Sequence, residues 1–289
     1  MIADMLVYGS VQGAVFALLA IGFSLVYGVG RILNLAHGAF YLIAACLVVW
    51  FVPVFGAPGS ILFSLLLTTI IGALTYLFLI KPLQKTLVGV VIITFGLAFL
   101  MQYLVQIIQL DTTGYSSFPS LPLWATGTIS ILGTAFLAQF AVAFFGALIV
   151  VVCVILFISK AKIGKSIRAV AQDREAAMLM GINADRILML TVTLSAFLAA
   201  IAAVLWMPVD TITPAMGFSV LLTAFSVVVL GGMGSLPGSV LSAFIISYAS
   251  AFCNFVLYQP TYAALVPLVV ILGVLVLRPR GLLGRKEVE

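Results

Sequence analysis

Nine apolar runs, most of them close to the length of one bilayer crossing, follow one another along the chain with short polar breaks between them. They lie at about Leu6–Tyr27, Gly38–Phe55, Ile61–Ile80, Leu87–Ile108, Phe136–Ile158, Ile187–Met207, Phe218–Leu230, Gly238–Leu257 and Tyr262–Leu277. A hydrocarbon core takes about 20 residues of helix per crossing. The chain therefore reads as an all-α polytopic membrane bundle of roughly eight to ten transmembrane helices, a single domain over residues 1–289. The run Phe218–Leu230 is short enough to be re-entrant, and Ile129–Gly133 offers a tenth, partial segment.

Composition closes off the other classes. Hydrophobic residues make up 64% of the chain and charged residues 7%, against about 25% charged in a soluble domain. That is too little charge to coat a water-soluble surface and too much apolar content for a disordered chain. The cysteines Cys46, Cys153 and Cys253 sit singly inside apolar runs and read as packing, with neither a disulfide framework nor a metal site expected. Met1–Asp4 lacks the basic start of a signal peptide.

The few charges carry the topology. With the N-terminus placed outside and the runs alternating, all thirteen Lys and Arg residues fall on one side, in four segments: Arg31; Lys81 and Lys85; Lys160 to Arg186; and Arg278 to Lys286. Cytoplasmic loops are enriched in Lys and Arg, so the N-terminus is expected outside and the C-terminus in the cytoplasm. The net charge of +5 is then mostly a topology signal, with no nucleic-acid partner implied. No Asp or Glu lies in mid-span and His37 is the only histidine. Proton-driven carriers usually hold an ionisable group within the membrane, and intramembrane hydrolases need acid–base and nucleophilic groups. Neither self-contained proton coupling nor catalysis is expected.

Two segments stand outside the membrane. The outer one, 109–135, carries Gly114, Pro119, Pro122 and Trp124 and suits a loop on the membrane surface, either a docking surface or a plain connector. The inner one, 159–186, concentrates the polar chemistry. Asp173 is an N-cap residue, Glu175 falls in the first turn and Gly181 is a C′ stop, so a two-turn helix is expected over 174–180. Ala176 and Ala177 give it a small face that another protein can approach, and Asn183 or Asp185 caps the next helix. Gly164-Lys165-Ser166 matches only the end of a phosphate-binding loop: Ser159 stands where the first glycine is required, so no nucleotide site is read there.

Glycine and polar residues gather at two junctions. In Tyr27–Gly38, the glycines at 28, 30 and 38 permit a broken helix, and Asn34 and His37, spaced to share a helical face, either hydrogen-bond across helices or line a path. In Gly231-Gly232-Met233-Gly234-Ser235-Leu236-Pro237-Gly238, Gly231, Gly232 and Gly234 read as a hinge or a tight turn, with Ser235 capping the following helix. Gly9 and Gly13 suit close helix packing.

Taken in order, three blocks resemble the shorter of the two permease types of bacterial branched-chain amino acid ABC importers. They are Asn34–Gly38, then Arg168–Asp173 with Glu175-Ala176-Ala177 and Gly181–Asn183, then Gly231–Ser235 with Gly238. The resemblance implies that Asp173, Glu175, Ala176, Ala177 and Gly181 form the element that docks on a cytosolic ATPase, and leaves Asn34, His37 and Gly38 as candidates for a substrate path. It implies a complex in the bacterial inner membrane with two permease subunits, two ATPases and an external substrate-binding protein. It further implies that ATP is used by the partner subunits, with no cofactor expected on this chain. The implied cargo is an amino acid, with urea or short amides as the alternative; a stand-alone carrier or channel is the competing class.

Overall fold

The computed structural model describes residues 2–84, 86–113, 127–131, 134–278 and 281–284. The chain runs through α1 (Ile2–Gly30) and α2 (His37–Leu74), which continues by a π-wound turn (Thr75–Ile80) into the short α3 (Lys81–Leu83). Next come α4 (Leu87–Thr113), the strands β1 (Thr128–Ile131) and β2 (Thr134–Leu137), α5 (Ala138–Lys160), α6 (Lys162–Gln172) and α7 (Arg174–Leu179). Last are α8 (Ala184–Trp206), α9 (Met216–Gly231), α10 (Leu236–Phe255) and α11 (Pro260–Leu277).

Among the described residues, six helical stretches are long and apolar enough to cross a membrane, and two shorter apolar helices, Met216–Gly231 and Pro260–Val274, accompany them. The 47-residue stretch His37–Leu83 is two crossings folded at Gly56, where φ is 67° and ψ 175°. Ser64 Oγ donates to the carbonyl of Ala44 at 2.7 Å. In a straight helix these residues would stand about 30 Å apart, so the two arms are antiparallel. Divided in this way, the apolar helices match the nine apolar runs of the sequence.

The strands depart from the sequence reading. Ile129, expected in a partial membrane segment, and Phe136, expected in a crossing, pair with each other in an antiparallel hairpin. The alternation of Thr and Ser with Ile over Thr128–Ile131 is the period of a strand. Residues 114–126, which hold the turn formers and Trp124 of the expected outer loop, lie outside the described residues.

Helix α1 is apolar on every side, as a helix buried all round must be, and α5, α6, α8, α9 and α10 pack on it. Gly9 and Gly13 lie under the rings of Tyr248 and Phe244 of α10, and Ser10 Oγ sits 2.7 Å from the Tyr248 hydroxyl. The outer faces of α4, α5 and α11 expose Leu, Ile, Val and Phe, the surface a bilayer covers. Among the described residues, Arg31, Lys81 and the segment ending at Arg186 lie toward one end of the bundle. There Asp185 takes hydrogen bonds from Arg174 at 2.9 Å and Gln84 at 3.4 Å, and the amides of Leu282 and Leu283 cap the carbonyls of Leu230 and Gly231.

Candidate functional site

Helix α2 starts inside the bundle. His37, its first residue, bonds through Nε2 to the carbonyl of Leu19 (3.0 Å) and through Nδ1 to Ser195 Oγ (2.9 Å). A carbonyl only accepts, so Nε2 carries the proton and Nδ1 accepts from the serine hydroxyl. Leu19 lies about 16 Å along α1 from its Gly30 end, and Ser195 is near the middle of the 23-residue α8. Residues 31–36 thus climb from one end of the bundle to its middle before α2 begins. His37 has no exposed surface, and its ring ties α1, α2 and α8 together.

Asn34 does not share a helical face with His37, because it precedes α2. Its Oδ1 accepts from the amide of Ala36 at 3.1 Å, closing a local turn that competes with helix. Its Nδ2 is buried without a partner.

Gly38 meets Gly217 at the start of α9. A Cβ on Gly38 would stand 2.0 Å from the Gly217 carbonyl oxygen and 2.8 Å from Leu221 Cβ, so only glycine allows this crossing. The two helices are entered alike, after the broken segments 31–36 and 207–215, and each presents a glycine as its second residue. A groove beside the crossing is lined by Leu35, Ala39, Phe95, Gln102 and Phe218.

At the basic end, the inner segment forms two helices where the sequence reading had one. The missed helix, α6, is amphipathic: Ile167 and Val170 face inward, spaced three apart, while Lys165 and Arg168 are exposed. Gly164 is packed against the end of α5, where a Cβ would lie 2.4 Å from the Phe157 carbonyl oxygen. Arg168 donates to the carbonyl of Ile158. Gly164-Lys165-Ser166 is thus a helix crossing.

Helix α7 follows after one extended residue, Asp173, whose Oδ1 accepts from the Ala176 amide at 3.0 Å. Gly181, at φ 83°, ends the helix in a left-handed stop, and Asn183 Oδ1 caps α8 through the Arg186 amide. Glu175, Ala176 and Asp173 are exposed, but Ala177 is buried, with its methyl turned into the chain's own packing. Ala177 therefore supports α7 and leaves the contact face to others. That face is apolar at its tip: Leu179 is 89% and Met180 83% exposed. Hydropathy alone had no means of separating these two from core residues.

The glycine-rich stretch forms a tight turn. Gly232 and Gly234 adopt φ of 97° and 84°, Ser235 caps α10 through the Gly238 amide at 3.3 Å, and Gly234 lies against Gly28. Among the described residues, no cluster of three or more His, Cys, Asp or Glu side chains is arranged to hold a metal ion.

Helices that begin in mid-bundle from broken segments are a construction of transporters, and together with the apolar crossings they define a multi-pass membrane permease. Residues 5–275 match the family described as "Branched-chain amino acid transport system / permease component". The chain is 31% identical to the high-affinity branched-chain amino acid transport system permease protein BraD of Pseudomonas aeruginosa, over 98% of this chain and 96% of that protein. It is 29% identical to the corresponding protein LivH of Escherichia coli, over 97% and 95%. The probable branched-chain amino acid transport permease protein LivH of Methanocaldococcus jannaschii is 24% identical over 92% and 88%. No solved structure matches the chain. The chain belongs to the family of permease components of branched-chain amino acid transport systems.

Proposed function

We propose that this chain is the membrane-spanning subunit of an ATP-driven importer for branched-chain or other amino acids. It sits in a bacterial inner membrane with its N-terminus outside, takes ligand from an external binding protein, and pairs with a second permease subunit. Two cytosolic ATPases act on it through α7. The observation that carries this reading is α7 itself: a helix capped at Asp173, stopped at Gly181, and tipped with Leu179 and Met180 exposed outside the bundle core. Exposed apolar groups rimmed by charge mark protein contact sites, and Glu175 and Asp173 supply the rim. Ala177 and Gly181 set the shape of the element, and Ala176 lies on its open side.

We infer that the substrate path runs along the Asn34–Gly38 junction, beside the narrow groove lined by Leu35, Ala39, Gln102 and Phe218. His37 holds the wall of this path, because both its ring nitrogens are engaged.

Reconstitution in vesicles tests the class. Leucine uptake is expected only when the cognate ATPases and ATP are present, and brisk uptake by the chain alone would overturn the importer reading in favour of a carrier or channel. Leu179→Asp and Glu175→Lys are expected to abolish ATPase pull-down while leaving the permease folded. Normal association in both variants would move the dock elsewhere.

A further inference from the structure

The π-wound turn Thr75–Ile80 opens the side of the bundle next to the start of α8. Single π turns inside α-helices frequently accompany functional sites. Here the widened turn and α8 flank an open cavity of about 170 Å³, lined in part by Tyr76, Leu77, Lys81, Asp185, Arg186 and Met189. Tyr76 is 1% exposed, yet its hydroxyl has no hydrogen-bond partner. With its hydroxyl sealed by burial, Tyr76 serves as a wall of the cavity.

The charges around the cavity name the sign of such a ligand. Asp185 is already neutralised by Arg174 at 2.9 Å, with Gln84 at 3.4 Å. Lys81 and Arg186 are both exposed, and among the described residues neither is engaged in an ion pair. The cavity therefore presents two uncommitted cations, which suit an anion with several acceptor oxygens. Its surroundings name the source. Leu77 and Phe78, on the same turn, are exposed on a membrane-spanning stretch, so the mouth has hydrocarbon on one side and basic groups on the other. Basic pockets of this kind between transmembrane helices bind acidic lipid headgroups.

We infer that the cavity between Tyr76, Lys81 and Arg186 binds the phosphate of an acidic phospholipid of the adjoining leaflet, its acyl chains lying over Leu77 and Phe78. The bound headgroup would sit beside the Arg174–Asp185 pair that joins α7 to α8, close to the segment that follows α7. The site needs only the membrane placement of these helices and stands whether or not α7 docks an ATPase.

Native mass spectrometry of the purified full-length chain, titrated with dioleoylphosphatidylglycerol or dioleoylphosphatidylcholine, tests it. The chain is expected to retain phosphatidylglycerol in clear preference to phosphatidylcholine. Lys81→Gln with Arg186→Gln is expected to weaken that retention by about tenfold or more, two surface cations being removed. Equal retention of the two lipids, or equal phosphatidylglycerol binding by parent and double variant, overturns the proposal. Inorganic phosphate at millimolar concentration is expected to leave lipid retention unchanged. If it displaces the lipid and protects the chain equally well, the site belongs to a free anion and the lipid assignment is wrong.

Discussion

Ser195 Oγ lies 2.9 Å from Nδ1 of His37, and both atoms are buried in the middle of the bundle. The pair joins the start of α2 to the midpoint of α8, while Nε2 holds α1 through Leu19. Replacing Ser195 by Ala strands an imidazole acceptor away from water. The expected loss is about 1–3 kcal/mol, read as a lower melting temperature in detergent. A variant as stable as the parent would show that this hydrogen bond is not made.

The glycine crossing predicts an order of severity. Gly38→Ala drives a methyl to 2.0 Å from the Gly217 carbonyl, whereas at Gly217 the nearest atom, the Gly38 carbonyl oxygen, would be 3.1 Å away. Overpacking costs typically about 1–3 kcal/mol. Gly38→Ala should reach or pass the upper end and abolish uptake, and Gly217→Ala should stay near the lower end. Melting curves and uptake for the two variants check this, and the reverse order would mean that the helices cross elsewhere.

At Gly164 the contact is with the end of α5, where a Cβ would lie 2.4 Å from Phe157 O and 2.5 Å from Ile158 O. Gly164→Ala is expected to lift α6 from the bundle. Hydrogen exchange should accelerate across 162–172 while α10 stays protected. Uniform acceleration over both would indicate global destabilisation instead.

The cap of α7 is separable from its proposed docking role. Asp173→Ala removes the acceptor for the Ala176 amide, a loss of about 1 kcal/mol. Amides over 174–180 should exchange faster, and Asp173→Asn should restore protection, because Asn caps as well as Asp. Failure of the Asn variant to rescue would point to the charge as the working feature.

The Arg174–Asp185 pair, with side chains 39% and 43% exposed, is a weak tie. Exposed pairs contribute about 1 kcal/mol or less, so Arg174→Ala should change the melting temperature little. A large drop would show that Asp185 becomes an uncompensated charge.

Much of the site was legible where its causes are local. The α7 boundaries follow from Asp173, Glu175 and Gly181, since capping and left-handed stops act within one turn. The Ser235 cap follows in the same way. The amphipathic spacing of Ile167 and Val170 announces α6 once it is looked for, but lysines and a near-match to a phosphate loop mask it. Ala177 and Leu179 were not legible: a short helix has two faces, and which one meets the bundle depends on how α6 and α8 hold it.

By itself the sequence determined a membrane-spanning helical bundle, its nine apolar segments and the gathering of basic residues on one side. These follow from hydropathy and charge, which act between each residue and its solvent. Only the tertiary structure decided that Gly56 folds one apolar stretch back on itself, that residues 31–36 climb into the bundle, and that Gly38 and Gly217 meet there. Those features rest on contacts between segments far apart in the chain. Lipid does not compete for such contacts; the packing of backbones and the pairing of buried polar groups select them.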